Sequence, residues 1–505
     1  MDLADLMSIL EKEGDASVRA GMRVRLDSRT VCPGDIFVVM QGTKVDGQAY
    51  VQDAVDRGAR FVISEKPVEL PSSSVNVVVK GAAEAAARVA HGLCGYPGRR
   101  LINLGVTGTN GKTTVAFLTQ AMMQASGRLC GLLGTVHYDL LSRRLRASHT
   151  TPDAPALAQL LAEIVDAGAE AAVMECSSHA LVQNRLHSID FQAAAFTNLS
   201  GDHLDYHGSY RQYRDAKRLL FDSLDKGATA VVNADDPESD DMVKDTSATV
   251  WRYSLTVDAE LSGKILRQDR DLSRWRLRLG GSEMDVATSL IGRFNLSNAL
   301  AAAGLALAVG VTPDGIAQAL ETFVGVPGRL ERVDVGQPFT VLIDYAHTDD
   351  ALEKVLEQVR QICSRELILV FGCGGSRDRS KRPRMAAAAQ RFADQVILTD
   401  DNPRDESSEQ ILNDIMAGFS GSFTKAVQKC ADRRGAIAQA LEMADAGDVV
   451  LIAGKGHEDY QEINRQRIAF DDLQVCRDIL GGKPSIAGES MPVAAGRRDQ
   501  EDWRS

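Results

Sequence analysis

Residues 105–114, reading Gly-Val-Thr-Gly-Thr-Asn-Gly-Lys-Thr-Thr, constrain this chain more than any other stretch. An apolar run at 101–104 precedes them and reads as a buried strand, and 115–125 reads as a helix. A strand, a Gly-rich turn and a helix N-terminus together make an anion site. Successive backbone N–H groups converge on the turn, and the helix dipole favours negative charge there. Gly108, Thr109, Asn110, Gly111, Lys112, Thr113 and Thr114 are therefore expected to cradle a nucleoside triphosphate. Lys112 would reach the outer phosphates and the Thr113 hydroxyl would hold Mg²⁺. The strict phosphate-loop pattern places glycine five residues before the final Gly-Lys pair; Val106 stands there, so this is a more compact form.

The rhythm around this loop gives the fold class. From about 98 to 328, strand patterns at 101–106, 171–175, 193–197 and 228–232 alternate with helical patterns, of which 153–167 and 210–224 are the clearest. That alternation predicts an α/β domain with a mainly parallel sheet covered on both faces. Residues 248–290 alternate in polarity, which predicts antiparallel strands, and 296–309 is a small-residue helix. Before residue 98, short strands at 35–40, 61–64 and 75–79 mix with helices at 49–57 and 82–93. After 328, strands at 339–343, 366–371, 395–398 and 449–453 predict a second open, Rossmann-like α/β domain. The breaker clusters 95–98 and 325–328 mark the boundaries. Three domains follow, 1–97, 98–328 and 329–481, with 482–505 a disordered tail rich in Gly, Ser and charge.

Composition narrows the partners. With 57 basic and 69 acidic residues the net charge is −12, and no Lys/Arg-rich block suggests nucleic acid. No apolar run is long enough for a bilayer, and residues 1–14 are acidic and amphipathic, unlike a secretory signal. The eight cysteines form no C-x-x-C pair, so a reducing, cytoplasmic setting is expected. The chain is expected to act as a monomer on small molecules.

Polar groups recur where strands end. Glu175 closes one strand, where a carboxylate faces the ligand crevice and suits a hard cation. Thr197 to His207 is dense in polar groups after the next strand. His203 and His207 stand four apart, but no Glu follows His203 as in H-E-x-x-H, so zinc is not expected. Lys217, taken alone on its helix, reads as a surface lysine. In the last domain Asp344-Tyr-Ala-His347, Gly372 to Arg379, Asp400-Asp401-Asn402-Pro403-Arg404 and Gly454-Lys455-Gly456-His457-Glu458 each follow a strand. Four such loops build one crevice. Arg beside acids and amides suits a zwitterion, since Arg forks a carboxylate and acids take up an ammonium.

Thr107-Gly-Thr-Asn-Gly-Lys-Thr-Thr114, Glu175-Cys-Ser-Ser178, Thr197 to Gly208, Gly292-Arg-Phe-Asn-Leu-Ser-Asn298 and Asp344-Tyr-Ala-His347 resemble, in order, the motifs of the Mur ligases of peptidoglycan synthesis. The resemblance runs from about Leu26 to Asp472. It is strongest to the members that add the third amino acid to UDP-N-acetylmuramoyl-L-alanyl-D-glutamate, and Asp401-Asn-Pro-Arg404 resembles the signature of those adding meso-diaminopimelate. It implies a cytoplasmic ligase of cell-wall biogenesis, on which cell shape and division depend. The UDP end of its substrate would lie on the first domain, ATP on the second and the amino acid on the third. The D-glutamyl carboxylate would become an acyl phosphate before amide formation.

By that resemblance Lys112, Glu175, His203 and Lys217 are the catalytic set. Thr113 and Glu175 hold Mg²⁺, Glu175 with His203 a second ion, and Lys217 carries a carbamate (N6-carboxylysine). Asn295, Arg329 and Asp344 border the nucleotide. Leu26, Ser28, Thr43, Lys44, Val45, His149, Thr150, Thr151, Ser177, Gln183 and Arg185 border the UDP substrate. Arg377, Asp401, Asn402, Pro403, Arg404, Gly454 and Glu458 border diaminopimelate, with Arg404 on its distal carboxylate and Glu458 on its distal ammonium. Asp349 replaces the proline that usually follows Asp-Tyr-Ala-His-Thr. The competing readings are a lysine-adding relative, a folylpolyglutamate or cyanophycin synthetase-like ligase, and a non-catalytic nucleotide-binding module.

Overall fold

The structure, a computed structural model, describes residues 1–12, 21–41, 47–269 and 272–482. Thr43, Lys44 and Val45, and all but the first residue of the expected tail, lie outside the described residues. The first unit comprises α1 (Leu3–Lys12), β1 (Val24–Arg25), β2 (Ile36–Val38), α2 (Val51–Asp56), β3 (Phe61–Ser64), β4 (Val75–Val78) and α3 (Ala82–Leu93). Its four strands pair in parallel in chain order. Alanines and Val89 on one face of α3 close the core against Leu6, Ile36, Val38 and Ile63. Ala158 of the next unit joins that cluster, which seats the first unit on the second.

The second unit is built on β5 (Ile102–Thr107) and α4 (Lys112–Ala125), followed by β6 (Cys130–Leu133), β7 (His137–Asp139), β8 (Arg144–Arg146) and α5 (Ala154–Asp166). Then come β9 (Ala171–Glu175), α6 (Ser178–Val182), β10 (Phe191–Phe196), α7 (Leu204–His207), α8 (Tyr210–Asp222), β11 (Thr229–Asn233) and α9 (Ser239–Val243). β12 (Thr249–Ser254), β13 (Leu261–Gln268), β14 (Ser273–Leu279), β15 (Ser282–Thr288), α10 (Arg293–Ala308) and α11 (Pro313–Thr322) complete it. The 11-stranded sheet runs β15-β14-β13-β12-β11-β10-β5-β9-β6-β7-β8. β5 lies between β9 and β10, so the chain departs from it in both directions. Such a switch point opens a ligand crevice at the carboxyl ends of the strands. The register sets Val106 beside Glu175 and Thr107 beside Phe196, which brings the three motif loops together.

The polarity alternation over 248–290 predicts antiparallel strands, yet β12 pairs in parallel with both β11 and β13, and within this segment only β13 to β15 pair antiparallel. The alternation reports solvent access toward the end of the sheet, where Arg252 reaches Asp240 at the surface while Trp251 packs inward, and not the direction of pairing.

The third unit comprises β16 (Glu331–Val333), β17 (Thr340–Asp344), α12 (Asp349–Ile362), β18 (Leu367–Phe371), α13 (Lys381–Phe392), β19 (Gln395–Leu398) and α14 (Ser408–Met416). It continues with β20 (Val427–Lys429), α15 (Arg433–Met443), β21 (Val449–Ala453), β22 (Tyr460–Ile463), β23 (Gln466–Ala469) and α16 (Asp472–Leu480). The sheet order is β16-β17-β21-β18-β19-β20, and β17, β21, β18 and β19 run in parallel as neighbours. Their four polar loops therefore share one edge. Beneath that edge Arg433 and Asp472, both fully buried, form a two-pronged pair at 2.7 Å per contact. Arg433 also donates to the carbonyls of Asp400 and Ala453, at 3.3 and 3.1 Å. Asp472→Ala would strand a buried guanidinium and is expected to cost about 3–5 kcal/mol in urea unfolding; an unchanged midpoint would contradict that.

Candidate active site

The loop after β5 is held by the segment after β10. Thr109 N donates to Asn198 O at 2.8 Å, Asn110 N to Asn198 Oδ1 at 3.1 Å, and Thr197 Oγ1 to Asn110 O at 2.6 Å. Gly108 has φ +148°, and a Cβ there would lie 1.8 Å from Thr197 Oγ1. Gly108→Ala is accordingly expected to push the loop away from its clamp and weaken ATP binding about 100-fold by calorimetry, the scale set by ångström-sized misplacements; unaltered binding would refute the clamp.

Lys112 opens α4, and its Nζ donates to the carbonyls of Gly108 and Thr109, at 2.9 and 2.8 Å. Lys217 reaches the Gly108 carbonyl from the other side at 2.7 Å, with Nζ 4.5 Å from the Tyr213 ring centre. The surface reading of Lys217 is overturned: it is 1% exposed. The cause is legible on α8, where Tyr213, Ala216, Lys217, Leu220 and Phe221 form one buried stripe at helical spacing. Burial, reinforced by the neighbouring Lys112 charge, pushes the Lys217 amine well below the ordinary lysine value, and burial lowers Lys112 too.

Glu175 is buried at the end of β9. Its carboxylate accepts from Thr135 N at 2.8 Å and Thr135 Oγ1 at 3.0 Å, and that hydroxyl meets Thr150 Oγ1 at 3.0 Å. His203 adopts φ +52°, lies 3.5 Å from Asp202 and packs edge-on to His179 at 4.9 Å. No hydrogen bond among the described residues joins His203 to Glu175, Thr113 or Lys217. Nor does any group of three or more His, Cys, Asp or Glu gather as a metal cage among them. The donor set of Thr113 and Glu175 fits Mg²⁺ all the same, because that ion keeps several waters and takes the rest of its shell from phosphates.

Arg329, from the turn before β16, places Nη2 3.4 Å from Thr113 Oγ1 and its guanidinium 4.8 Å from the Tyr345 ring centre. Its buried Nε has no acceptor among the described residues, which suits an anion beside the loop. Asn295 is buried on the first turn of α10, donating to Ile291 O at 2.9 Å. Asp344 spends both oxygens on the backbone N–H groups of Leu330 and Ala346, at 2.8 Å each, and so shapes this turn.

A cleft of about 290 Å³ separates the first and second units, lined among others by Leu26, His149, Gln183 and Arg185. Arg185 donates to Thr151 O at 2.8 Å and to Gln183 Oε1 at 2.7 Å, and Gln183 donates to the Tyr206 hydroxyl at 3.1 Å. Thr151 Oγ1 donates to Glu175 O at 2.6 Å and meets Ser177 Oγ at 3.2 Å. This network runs from the cleft to Glu175. Ser28 is not among the lining residues; it is buried and bonds Asp53.

At the edge of the third sheet, Arg404 (φ +54°) donates to Glu462 at 3.2 Å and to Gly375 O at 2.9 Å. Asn402 Nδ2 donates to Glu458 at 3.0 Å, and its backbone carbonyl accepts from Gly375 N at 2.9 Å. Pro403 lies against Gly375, and Gly454 borders Asp401. Asp401, Asn402, Pro403, Arg404, Gly454 and Glu458 are thus brought together, while Arg377 stands exposed on the adjoining loop.

Two features escaped the sequence. Arg382 on α13 is buried and grips Glu406 with both terminal nitrogens at 2.8 Å, binding the loops after β18 and β19 into one frame. Asp350 on α12 accepts from Asn110 at 3.2 Å and from Ser200 at 3.0 Å, joining the third unit to the loops after β5 and β10. Asp350 follows the Asp344-to-His347 motif closely enough to have been suspected; the Arg382–Glu406 pair gave no signal.

Comparison with known proteins matches residues 106–306 to the "Mur ligase middle domain", 328–456 to the "Mur ligase, glutamate ligase domain" and 23–93 to the "Mur ligase family, catalytic domain". The chain is 44% identical to the "UDP-N-acetylmuramoyl-L-alanyl-D-glutamate--2,6-diaminopimelate ligase" of Geobacillus kaustophilus, over 90% of this chain and 94% of that one. Identity to the like-named protein of Aquifex aeolicus is 43%, over 92% and 94%. A solved structure of a ligase of that name superposes with TM-score 0.67 at 35% identity, covering 91% of this chain and 94% of the other. A folylpolyglutamate synthase of Mycobacterium tuberculosis, at 20% identity and TM-score 0.61, shares the fold.

Proposed function

The chain belongs to the Mur ligase family, and from that membership we infer an ATP-dependent ligase that joins meso-diaminopimelate to UDP-N-acetylmuramoyl-L-alanyl-D-glutamate in peptidoglycan precursor synthesis. The observation that carries the choice of amino acid is the crevice holding Arg404 beside Asn402 and Glu458. It offers the Nη2 of an oriented guanidinium to a carboxylate next to acceptors for an ammonium. We assign residues 1–97 to the UDP end of the substrate, 98–328 to ATP and 329–481 to the amino acid. The described helices include none long and apolar enough to cross a membrane, and the cysteines are unpaired, which supports a cytoplasmic enzyme; we take it to act as a monomer.

The backbone of Gly108 to Gly111, with Lys112 and Arg329, binds the triphosphate. Leu26, His149, Gln183 and Arg185 bind the UDP-sugar-peptide across the cleft, and Thr151 and Ser177 extend that grip toward Glu175. Thr113 and Glu175 would hold Mg²⁺, Glu175 and His203 a second ion, and Lys217, as a carbamate, would supply two further oxygens. When bound, the metal neutralises charge between carboxylate and phosphate anions that otherwise repel. The substrate carboxylate oxygen attacks the γ-phosphorus, ADP leaves, and an acyl phosphate forms. Arg404 and Glu458 hold the distal carboxylate and ammonium so that the other amine faces the acyl carbon. That amine, in its neutral form, adds to the acyl carbon, phosphate departs with the C–O electron pair, and the nitrogen gives up one proton to the departing phosphate or to water. With the reacting carboxylate labelled with ¹⁸O, one label should appear in the released phosphate; unlabelled phosphate would exclude the acyl-phosphate route.

A further inference from the structure

Lys455 follows β21, and its side chain is wholly buried in the wall of the Arg404–Glu458 crevice. Its ammonium lies 3.2 Å from Asn402 Oδ1, 3.3 Å from Glu458 Oε2 and 3.6 Å from Asp401 Oδ1. Asn402 Nδ2 donates to the same Glu458 oxygen at 3.0 Å. Asp401 Oδ1 is buried and accepts no hydrogen bond among the described residues. Burying an ammonium costs free energy unless its charge is matched, and here the matching groups are the ones that face the incoming amino acid.

The charges of the wall fall into two sets. Arg404 is engaged through Nε by Glu462 at 3.2 Å and through Nη1 by Gly375 O at 2.9 Å, and keeps Nη2 for a carboxylate. Lys455 faces Asp401 and Glu458, so these two acids together carry one uncompensated negative charge, enough for one ligand ammonium. The other buried cation below them, Arg433, is matched by Asp472. Asp401, Glu458 and Glu462 against Lys455 and Arg404 leave the wall with one net negative charge, and a neutral residue at 455 would make it two, a field that disfavours a carboxylate and favours a bare ammonium. An end that carries an ammonium alone leaves Arg404 without its ligand.

We propose that Lys455 is a specificity determinant: its charge sets the crevice to favour an amine whose far end is zwitterionic over one whose far end is only cationic. This rests on reading the crevice as the amino-acid site. Removing the charge leaves Asp401 and Glu458 with two negative charges, which rewards a bare cation and erodes the advantage of the carboxylate-bearing substrate. The charge acts within a few ångströms in a water-poor wall, where such terms are large, and specificity is the difference between the two affinities.

The test is the ratio of kcat/KM for meso-diaminopimelate to that for L-lysine, at saturating ATP and UDP-muramoyl-dipeptide. Wild type is compared with Lys455→Met, Lys455→Gln and Lys455→Arg. The two neutral variants should lower the ratio at least about 30-fold with the KM for ATP unchanged, and the arginine variant should hold it within about 3-fold. Glutamine keeps a hydrogen-bond donor for Asn402 and Glu458, so it reads the charge even if methionine unfolds the wall. Equal losses for both amines in the neutral variants would overturn the proposal and leave Lys455 a structural residue. A wild type that does not depend on diaminopimelate would instead overturn the reading of the crevice itself.

Discussion

Replacing Lys217 with alanine is expected to lower kcat for phosphate release at least about 1,000-fold while ATP still binds, the scale on which loss of one charge-stabilising group acts in an active site. The side chain is buried, and its Nζ reaches the same Gly108 carbonyl that Lys112 holds. Two ammonium groups at one carbonyl would be a poor arrangement beside a metal. Carbamylation turns one of them into an anion with two oxygen donors, which reverses its effect on a cation at Thr113 and Glu175. The variant lacks the nitrogen that carries the carbamate, so added bicarbonate should not restore its activity. In the wild type, ¹³C-bicarbonate should give a carbamate resonance that the alanine variant lacks. Full turnover in Lys217→Ala would remove this residue from the mechanism.

The second large effect is expected at Arg404. Arg404→Ala should raise the KM for meso-diaminopimelate at least about 100-fold, in line with the 2–5 kcal/mol lost when one partner of a desolvated charge pair is truncated. L-lysine, with no distal carboxylate, should be affected far less, and the KM for ATP should not move. Glu462 and Gly375 O already orient the guanidinium, so the binding group is preorganised before substrate arrives. An equal loss for both amines would show that Arg404 shapes the loop without meeting the carboxylate.

What the sequence disclosed follows from which signals are local. β3, β9, β19, β21 and α3 form over the residues that hydrophobic patterning picks out, because each is a short buried run or a one-faced helix bounded by breakers. The Gly-rich turn between β5 and α4 and the strand-end place of Glu175 were legible because each carries its own local context. Lys217 was misread when taken singly, although the stripe around it was visible. β12 was misread because polarity alternation records exposure and only indirectly pairing. Asp350 is different in kind: its partners Asn110 and Ser200 lie 240 and 150 residues away, and only the packing of the third unit on the second brings them together. The gathering of Asp401, Arg404, Gly454 and Glu458 was inferable because four parallel strands must release their loops at one edge. The burial of Lys455 behind them was not.

Phosphate release with ATP, Mg²⁺ and UDP-N-acetylmuramoyl-L-alanyl-D-glutamate, with meso-diaminopimelate compared to L-lysine, decides between the two amine-adding chemistries in one assay. Release that depends strongly on diaminopimelate, with little from lysine, is the predicted result. A preference for lysine would contradict the assignment of Arg404 and Glu458, and no release with either amine would contradict the ligase reaction itself.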